Sequence, residues 1–434
     1  DDTVVMETIK YPAKDSWDSL CRRALADKAA EVTATVTDII AEVEKRGDQA
    51  LIDYEKRFTG ASLSALEVTA EELDHAETAI SDELKTAINQ AAENIEAFHK
   101  AQMMAPVEVE TSPGVRCLQR AVPIERVGLY IPGGNSPLFS TVLMLAIPAR
   151  IAGCREIILC TPPGKDGSVH PAILYAARLA GVKHIFKTGG AQAIAAMSVG
   201  TGSVPKVDKI FGPGNRFVME AKQQVSRSNV AIDMPAGPSE VLVIADDTAD
   251  AEFVAADFLS QAEHGPDSQS LLLTDSARLA DILPEVIDRL MSTLPRQDMM
   301  NRSLTHSRVI LLHDTDEIMA FSNMYSPEHL IINHRQADAL AEKVINAGSV
   351  FIGPWSPESA GDYASGTNHT LPTSGYARAY SGVNIDSFMK KITFQRLTPQ
   401  GIASIGRTVE IMAENEDLMA HKLAMTLRLN AIKK

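Results

Sequence analysis

The chain has 434 residues, of which 45% are hydrophobic and 22% charged, and its formal net charge is −15. This composition is that of an ordinary globular protein, and the length predicts roughly two to four domains. The acidic balance argues against sequence-independent binding to nucleic acid, which needs a basic surface.

Cysteine usage and the hydrophobic runs indicate a cytoplasmic protein that does not enter membranes. The four cysteines are dispersed and form no CxxC pair, so neither a disulfide framework nor a thiolate zinc site is expected. No secretory signal is visible, although the sequence begins at Asp1 rather than at Met. The longest apolar run, 142–151, is interrupted by Pro148 and Arg150 and is too short to span a bilayer.

Amphipathic helices are predicted in the first part of the chain. Apolar residues recur three and four positions apart in 17–58 and in 70–104, with Glu and Lys between them. Gly60 closes the first block, and Thr69 followed by Glu71 and Glu72 is typical of a helix start. Residues 1–30 are assigned to a small helical extension.

From Val127 onwards, short β-branched segments alternate with glycine turns and helices. The predicted strands, each with the helix that follows it, are 127–131 with 140–152, 156–160 with 171–180, 184–187 with 191–199, and 209–211 with 216–226. This repeat predicts a parallel sheet with crossover helices. The glycine turns are compatible with a bound nucleotide or with simple tight turns, since neither GxGxxG nor GxxxxGK[ST] occurs.

A second alternating block follows residue 239. Its predicted strands are 240–244, 270–273, 308–312 and 349–352, and its predicted helices are 249–262, 277–294, 319–322 and 336–347. The sequence therefore predicts an α/β fold of two tandem Rossmann-like, incompletely doubly wound parallel-sheet domains. The first would comprise 31–129 plus 239–381 and the second 130–238. The tail, 382–434, is predicted to be helical and to pack on another domain or subunit, because it is short for an independent core.

Several histidines lie in polar contexts that suit a metal site. His264 follows Gln261 by three residues on a predicted helix, which places both on one face. His369 ends the polar loop 361–369, and His421 lies in the tail. Imidazole, carboxylate and, more rarely, amide oxygen are zinc ligands, but the spacing matches no local zinc motif. Each histidine taken alone is also compatible with a structural role.

The adjacent residues Glu328 and His329 form a candidate acid–base pair. A carboxylate that activates water and an imidazole that moves protons would fit this dipeptide. The same residues are equally compatible with a helix N-terminus that has Pro327 in its first turn.

Several strings, taken together and in this order, resemble the histidinol dehydrogenase family. They are YIPGG (130–134), GGAQAIA (189–195), KIFGPGN (209–215), IDMPAGPSE (232–240), QAEHGPD (261–267), PEHL (327–330) and SAGDYASGTNH (359–369). The resemblance covers nearly the whole chain from about Val32. It implies a zinc-dependent, NAD-linked dehydrogenase that oxidises L-histidinol through its aldehyde to L-histidine, with two NAD molecules used in turn.

The resemblance also implies a role for each matching position. It implies that zinc, which orients the substrate, is bound by Gln261, His264, Asp362 and His421. It implies that Glu328 activates the water that hydrates the aldehyde and that His329 takes the protons. Further substrate contacts, beside the zinc ligands and His329, would be Ser239, His369 and Glu416. The NAD contacts would be Tyr130, Gln192 and Asn215.

The family resemblance further implies a homodimer in which the tail crosses to the partner. Glu416 and His421 would then complete the active site of the other subunit. Two residues depart from the family pattern: Ser326 stands where glycine is more common, and Ser374 lies in a loop that commonly carries another residue. Three alternatives stay open, namely a zinc hydrolase, a non-catalytic metal- or amino-acid-binding protein, and a family relative that oxidises another small alcohol. The metal, zinc or manganese, also stays open.

Overall fold

The computed structural model describes residues 6–23, 29–133, 136–228 and 230–434. The strands are β1 (Glu7–Lys10), β2 (Val107–Ser112), β3 (Val115–Pro123), β4 (Arg126–Tyr130), β5 (Glu156–Thr161), β6 (His184–Lys187), β7 (Lys209–Phe211), β8 (Ala231–Ile232), β9 (Glu240–Ala245), β10 (Gln269–Thr274), β11 (Arg308–Leu311), β12 (His329–Asn333), β13 (Ser349–Ile352) and β14 (Met389–Leu397). The α-helices are α1 (Trp17–Leu20), α2 (Ala29–Arg46), α3 (Asp48–Thr59), α4 (Ala70–Ala79), α5 (Asp82–Lys100), α6 (Phe139–Ala152), α7 (Pro171–Leu179), α8 (Gly190–Val199), α9 (Arg216–Val225), α10 (Ala251–Ala262), α11 (Ala277–Met291), α12 (Gln297–Leu304), α13 (Thr315–Tyr325), α14 (Ala337–Ala341), α15 (Glu358–Tyr363), α16 (Pro399–Asn415) and α17 (Met419–Ile432).

Strands β4 to β8 form a parallel sheet in the order β6-β5-β4-β7-β8. The order reverses beside β4, so the carboxyl ends of β4 and β7 flank the crevice where doubly wound sheets bind ligands. Both faces of the sheet are buried, which explains why the middle residues of its strands are apolar on both faces. Helices α4 to α7 cover one face, and α2, α3, α8 and α9 cover the other.

A six-stranded parallel sheet has the order β1-β11-β10-β9-β12-β13. Without β1 at the edge, both sheets have the same strand order. If the strands of each sheet are numbered along the chain, the third, second, first, fourth and fifth strands are neighbours in that order. Helices α10 to α12 pack on one face, and α1, α13 and α14 pack on the other. The predicted pair of tandem Rossmann-like sheets is confirmed.

The helices of residues 29–100 pack on the five-stranded sheet. Val36 and Val43 of α2 are fully buried in the same core as β5, α8 and α9, and Ile95 of α5 packs with α6. The division predicted from the sequence assigned 31–129 to the domain of the six-stranded sheet, whereas these helices pack on the five-stranded one. Periodicity identifies the apolar face of a helix, but it does not identify the sheet that this face meets.

The tail was predicted to be helical, but a strand, β14, precedes its two α-helices. All nine residues of β14 pair with β3, which also pairs with β2, in an antiparallel sheet. None of these nine residues is buried in the chain, so no apolar face marked the strand in the sequence. The expected helices, α16 and α17, follow and pack on each other, with Gly406 against Leu429. Within the described residues, no helix is both long and apolar enough to cross a membrane.

At the carboxyl edge of the six-stranded sheet, an ion pair links the residues that follow β9 and β12, the buried Asp246 and the exposed Arg335. Asp246, directly after β9, accepts hydrogen bonds from Thr248 and from the backbone and side chain of Arg335, whose Nε lies 2.8 Å away. Burial opposes ionisation of Asp246, but these hydrogen bonds outweigh it and lower its pKa from 3.8 to about 2.

The depressed pKa of Asp246 yields a prediction about how the stability of the protein depends on pH. Because the folded-state pKa of Asp246 is depressed, its stabilisation is present above pH ~4 and is lost as the pH falls towards ~2. We expect Asp246→Asn to lower the free energy of unfolding by about 2 kcal/mol at neutral pH, with the deficit shrinking on acidification. Urea denaturation at several pH values measures this. The control is the exposed neighbour Asp247→Asn, for which we expect less than about 1 kcal/mol; a deficit that does not change with pH would contradict the assignment.

Candidate active site

The candidate acid–base pair lies at the amino edge of the six-stranded sheet, where β9 and β12 begin. His329 is the first residue of β12 and is in register with Val241 of β9. The interpretation of Pro327 and Glu328 as a helix start is therefore wrong. Helix α13 ends before them at Tyr325. The next residue, Ser326, has a left-handed φ of +54°, and the chain turns there towards the strand.

Two buried glutamates join the starts of these strands by reciprocal hydrogen bonds. The backbone N–H of Glu240 donates to Oε2 of Glu328 at 2.8 Å, and the backbone N–H of Glu328 donates to Oε1 of Glu240 at 3.2 Å. Arg23 compensates the charge of Glu240 through Nε at 3.0 Å and Nη2 at 2.9 Å, and its guanidinium lies 3.6 Å from the centre of the Tyr325 ring. Glu328 has no arginine or lysine beside it in the described chain.

Burial raises the pKa of Glu328 well above 4.5. The neighbouring His329 opposes this shift, whereas the carboxylate of Glu240 adds to it. A carboxylate whose pKa is raised in this way is a stronger base once it has lost its proton. Glu328 is therefore suited to accepting a proton from water.

One nitrogen of the His329 ring contacts the backbone of Glu240 and the carboxylate of Glu358, and the other faces Asp362. Nδ1 lies 3.2 Å from the carbonyl oxygen of Glu240 and 3.0 Å from Oε1 of Glu358. Nε2 lies 3.3 Å from Oδ1 of Asp362 and has no hydrogen-bond partner of good geometry. Burial would lower the pKa of His329, but the carboxylates of Glu358 and Glu328 outweigh it and raise the pKa well above 6.5. With Nδ1–H donated to the backbone carbonyl, Nε2 is the nitrogen that gains and loses the proton.

Metal-ligand atoms cluster beside Nε2 of His329. His264, Glu358 and Asp362 each offer one atom, and these three atoms lie within 4.8 Å of one another. Gln261 lies in the last turn of α10, and His264 follows in the turn just after that helix. Both polar atoms of the buried Gln261 amide lack a hydrogen-bond partner. Both buried oxygens of Glu358 also lack one. Unpaired buried polar atoms are costly, and the donor set of imidazole, carboxylate and amide fits zinc, so these residues fit the implied metal.

Glu358 belongs to this cluster, although the sequence did not single it out. It lies four residues before Asp362 in α15, so both carboxylates leave the same face of that helix. This spacing is the signal in the sequence, but it does not show that the pair lies beside His264.

The remaining proposed substrate contacts of the same chain are close to the cluster. Nδ1 of His369 lies 2.9 Å from the carbonyl oxygen of Asp362, and Nε2 lies 3.2 Å from Oγ1 of Thr141 on α6. His369 thus joins the six-stranded unit to a helix of the five-stranded one, and burial lowers its pKa. Ser239 immediately precedes Glu240 and is half-buried.

The two tail residues do not join the cluster within a single chain. Glu416 at the end of α16 and His421 on α17 are both exposed, and no tail residue is among the grouped metal-ligand atoms of the described chain. A row of large apolar side chains on the two helices is also exposed: Ile411, Met412, Leu418, Met419, Leu423, Leu427 and Ile432. A contiguous exposed apolar surface of this kind is typical of an interface with another chain.

The three proposed NAD contacts lie at the carboxyl edge of the five-stranded sheet. Tyr130 ends β4, and its hydroxyl accepts a hydrogen bond from the N–H of Gly190 at 2.9 Å. Gln192 is buried in the first turn of α8. Asn215, the N-cap of α9, is exposed and follows β7. Tyr130 and Asn215 therefore flank the point where the strand order reverses.

The glycine turns at this edge are required by the protein's own packing. A Cβ on Gly133 or Gly189 would come within 2.3 or 2.5 Å of Pro162, and a Cβ on Gly212, at φ +135°, would come within 2.2 Å of the carbonyl oxygen of Tyr130. The turns after β4, β5, β6 and β7 thus pack directly on one another. Glycine at these positions is explained without a ligand, so the glycines alone do not indicate a nucleotide.

The two departures from the family pattern share one backbone feature. Ser326 and Ser374 have φ values of +54° and +56°, in the left-handed region where a side chain is strained and glycine is favoured. This conformation explains why glycine is common at position 326. Ser326 donates its hydroxyl to the carbonyl oxygen of Asn323 at 3.0 Å.

The compensation of Glu240 by Arg23 yields a stability prediction. Arg23→Met would leave a buried, unpaired carboxylate, and we expect the free energy of unfolding to fall by about 3–5 kcal/mol, measured by urea denaturation. Adding Glu240→Gln should recover part of that loss, because the charge is removed as well. The control is Arg22→Met, which removes only an exposed ion pair with Asp18 and should cost less than about 1 kcal/mol. Equal losses for the two arginine variants would show that the buried pair has no special role.

Comparisons with known proteins agree on one family. The histidinol dehydrogenase family model matches residues 22–429. A histidinol dehydrogenase of Bacteroides thetaiotaomicron is 59% identical over 429 residues, which are 99% of this chain and 100% of that protein. One of Escherichia coli K12 is 54% identical over 416 residues, 95% of each. The crystal structure of histidinol dehydrogenase from Elizabethkingia anophelis superposes with a TM-score of 0.96 at 51% identity and covers 99% of both chains. The chain therefore belongs to the histidinol dehydrogenase family.

Proposed function

We propose that this chain oxidises L-histidinol with NAD, through L-histidinaldehyde, to L-histidine in histidine biosynthesis. The observation that carries the proposal is the position of Nε2 of His329, which lies beside the cluster of buried metal-ligand atoms without a hydrogen-bond partner. Membership of the family, and relatives of that name over the full length, support the same reaction.

His329 is the proton acceptor of both oxidations in this proposal. Oxidation of the alcohol removes a hydride from carbon and a proton from the hydroxyl, and Nε2 of His329 takes the proton. Because the backbone carbonyl of Glu240 and the carboxylate of Glu358 hold Nδ1, the ring keeps this orientation through both steps. NAD, when bound, accepts the hydride each time, so one histidinol consumes two NAD.

Glu328 acts between the two oxidations. It takes a proton from the water that adds to the aldehyde carbon, and the resulting hydrate is the alcohol of the second oxidation. Its burial against the start of β9 excludes bulk water from the carboxylate and keeps it strongly basic. As the water adds, Nε2 of His329 returns its proton to the aldehyde oxygen, and Glu328 later releases its own proton to solvent. His329 is then free to take a proton from a hydroxyl of the hydrate as this becomes the carboxylic acid.

The metal and substrate residues follow the cluster. We propose that Gln261, His264 and Asp362 bind zinc together with the partner's His421. Zinc, when bound, orients the amino alcohol and supplies positive charge. Ser239, His369 and the partner's Glu416 contact the substrate, in addition to the metal-binding residues and His329. His369 is suited to this because it lies where the two sheet units meet.

Tyr130, Gln192 and Asn215 form the proposed NAD contacts. The support is their place at the carboxyl edge beside the reversal of strand order, since dinucleotides bind at that point in doubly wound folds. The family resemblance supports the same three residues. Tyr130 and Gln192 also have partners within the protein: the Tyr130 hydroxyl accepts from the N–H of Gly190, and Nε2 of Gln192 donates to Oε1 of Glu55.

A homodimer with exchanged tails accounts for the uncovered apolar side chains of α16 and α17. In this arrangement the row from Ile411 to Ile432 is buried against the partner, and each tail completes the other active site. We place the enzyme in the cytoplasm, an assignment supported by its four cysteines, all of them free thiols.

The proposed reaction is tested by following NADH formation. Purified protein with zinc, L-histidinol and NAD should produce two NADH per histidinol, and a chelator should abolish the reaction until zinc is restored. NADH formation from another small alcohol alone would indicate a relative with a different substrate. A zinc hydrolase or a non-catalytic binding protein would form no NADH, and that result would contradict the proposal.

The exchanged tail is tested by mixing two inactive variants. His329→Ala should retain zinc but lose about 10²–10⁴-fold in turnover, and His421→Ala should lose zinc. In a dimer that contains one of each, one site carries both changes and the other is intact. Random pairing should therefore restore about a quarter of the wild-type activity. His334→Ala at the other end of β12 serves as the control for His329→Ala and should keep zinc and most turnover. A mixed dimer, shown to have formed but inactive, would contradict a shared site.

A further inference from the structure

A buried carboxylate occupies the N-terminus of α8 at the cofactor edge. Glu55 lies on α3, outside the five-stranded sheet, and is fully buried. Its Oε1 accepts three hydrogen bonds: from the N–H of Gly189 at 2.8 Å, from Nε2 of Gln192 at 2.9 Å and from Oγ1 of Thr188 at 3.2 Å. Its Oε2 is buried without a partner.

This position is one that a cofactor phosphate takes in many dinucleotide-binding folds. The N-terminus of a helix after a glycine turn presents free N–H groups and a positive dipole end. Here the carboxylate of Glu55 already fills that place, and the N–H of Gly190 is donated to the hydroxyl of Tyr130. The residues at the start of α8 therefore have no free N–H left at Gly189 or Gly190 for a phosphate.

The carboxylate also fixes which end of the Gln192 amide faces a ligand. Oε1 of Glu55 is an acceptor whether or not Oε2 carries a proton, so the amide atom that faces it must be the N–H donor. The amide oxygen of Gln192 is left on the side of Gly190, 2.8 Å from the position that a Cβ on Gly190 would take. Gln192 thus presents an acceptor.

An apolar residue would fill the place of Glu55 at lower cost. Leu51, one turn earlier on the same face of α3, is buried among apolar side chains. Burial raises the pKa of Glu55 above 4.5, against the opposing effect of the N–H groups of Gly189 and Gln192. A buried carboxylate is therefore a destabilising choice unless its hydrogen bonds hold something in place.

We infer that Glu55 is a positioning residue of the NAD site, which orients Gln192 so that its amide oxygen binds a hydrogen-bond donor of the cofactor, a ribose hydroxyl or a carboxamide N–H, and not a phosphate. The inference rests on the proposed use of NAD. It extends the site to the N-terminal helices, because the anchor of Gln192 comes from α3.

The experiment compares Glu55→Ala and Glu55→Gln in the full-length, zinc-loaded protein. Equilibrium titration with NADH gives Kd, and steady-state kinetics gives KM for NAD and for histidinol separately. We expect Glu55→Ala to raise Kd for NADH and KM for NAD about tenfold, with KM for histidinol and kcat at saturating NAD changed less than about twofold. Glu55→Gln retains an acceptor oxygen and should stay within about threefold of wild type.

The matched control is Glu67→Ala. The carboxylate of Glu67 lies 2.8 Å from Nδ1 of His184, at the amino end of β6. This variant therefore removes a carboxylate at the edge of the sheet that lies away from the proposed cofactor site. It should leave both Kd and KM unchanged. If Glu55→Ala does not fold, Glu55→Asp replaces it, because the shorter side chain keeps the charge and withdraws the acceptor from Gln192.

Either of two results would overturn the inference: wild-type affinity for NADH in the foldable variant, or an equal rise of both KM values, which marks a general structural role. Failure of the alanine, aspartate and glutamine variants to fold would assign Glu55 to stability alone and would also overturn it. Wild-type protein that binds NADH but does not oxidise histidinol would contradict the proposed substrate and not this inference.

Discussion

The candidate active site depends on the pairing of β9 with β12 and on the two glutamates that begin these strands. The parallel ladder places Glu240 and Glu328 side by side, and each carboxylate accepts the backbone N–H of the other residue. Two like charges cannot be buried together without compensation, and only Glu240 has an arginine. Burial, with a further contribution from the carboxylate of Glu240, therefore leaves Glu328 with a raised pKa beside His329. The basicity that the proposed reaction needs follows from this arrangement of charge.

The two sheet units share a strand order but use opposite edges. In the five-stranded unit, Tyr130 and Asn215 lie at the carboxyl edge, where the strand order reverses. In the six-stranded unit the same edge is tied by Asp246 and Arg335, and the candidate chemistry lies at the amino edge. His369, which contacts Thr141 of α6, connects the six-stranded unit to a helix of the five-stranded one. One fold repeated in tandem thus has two different surfaces: the proposed NAD contacts lie on one, and the candidate acid–base residues lie on the other.

The sequence predicted the parts of the fold that local pattern determines. The strands 184–187, 209–211 and 349–352 have the predicted bounds, because buried parallel strands are short apolar runs with glycine or proline nearby. It did not predict β14, whose pairing with β3 depends on residues far apart in the chain, or the sheet that α2 covers. Of the site, Gln261, His264 and Asp362 were named through the family resemblance, and spacing alone had not separated them from structural residues. Glu358, Glu55 and Arg23 were missed because each acts through a contact made only in the folded chain. A glutamate in the apolar stripe of α3 was the one local sign of Glu55.

The strand at the root of the tail has a consequence for the order of assembly. Strand β14 pairs with β3, which precedes it by more than half of the chain, so the antiparallel sheet closes only after the residues between these two strands have been synthesised. Helices α16 and α17 follow β14 and leave the ribosome after it. The apolar row that they carry therefore becomes available after both Rossmann-like units have had time to fold, and a chain truncated before Met389 would never display it. Late closure of one exposed strand thus limits the interval in which an unpaired tail is free to aggregate.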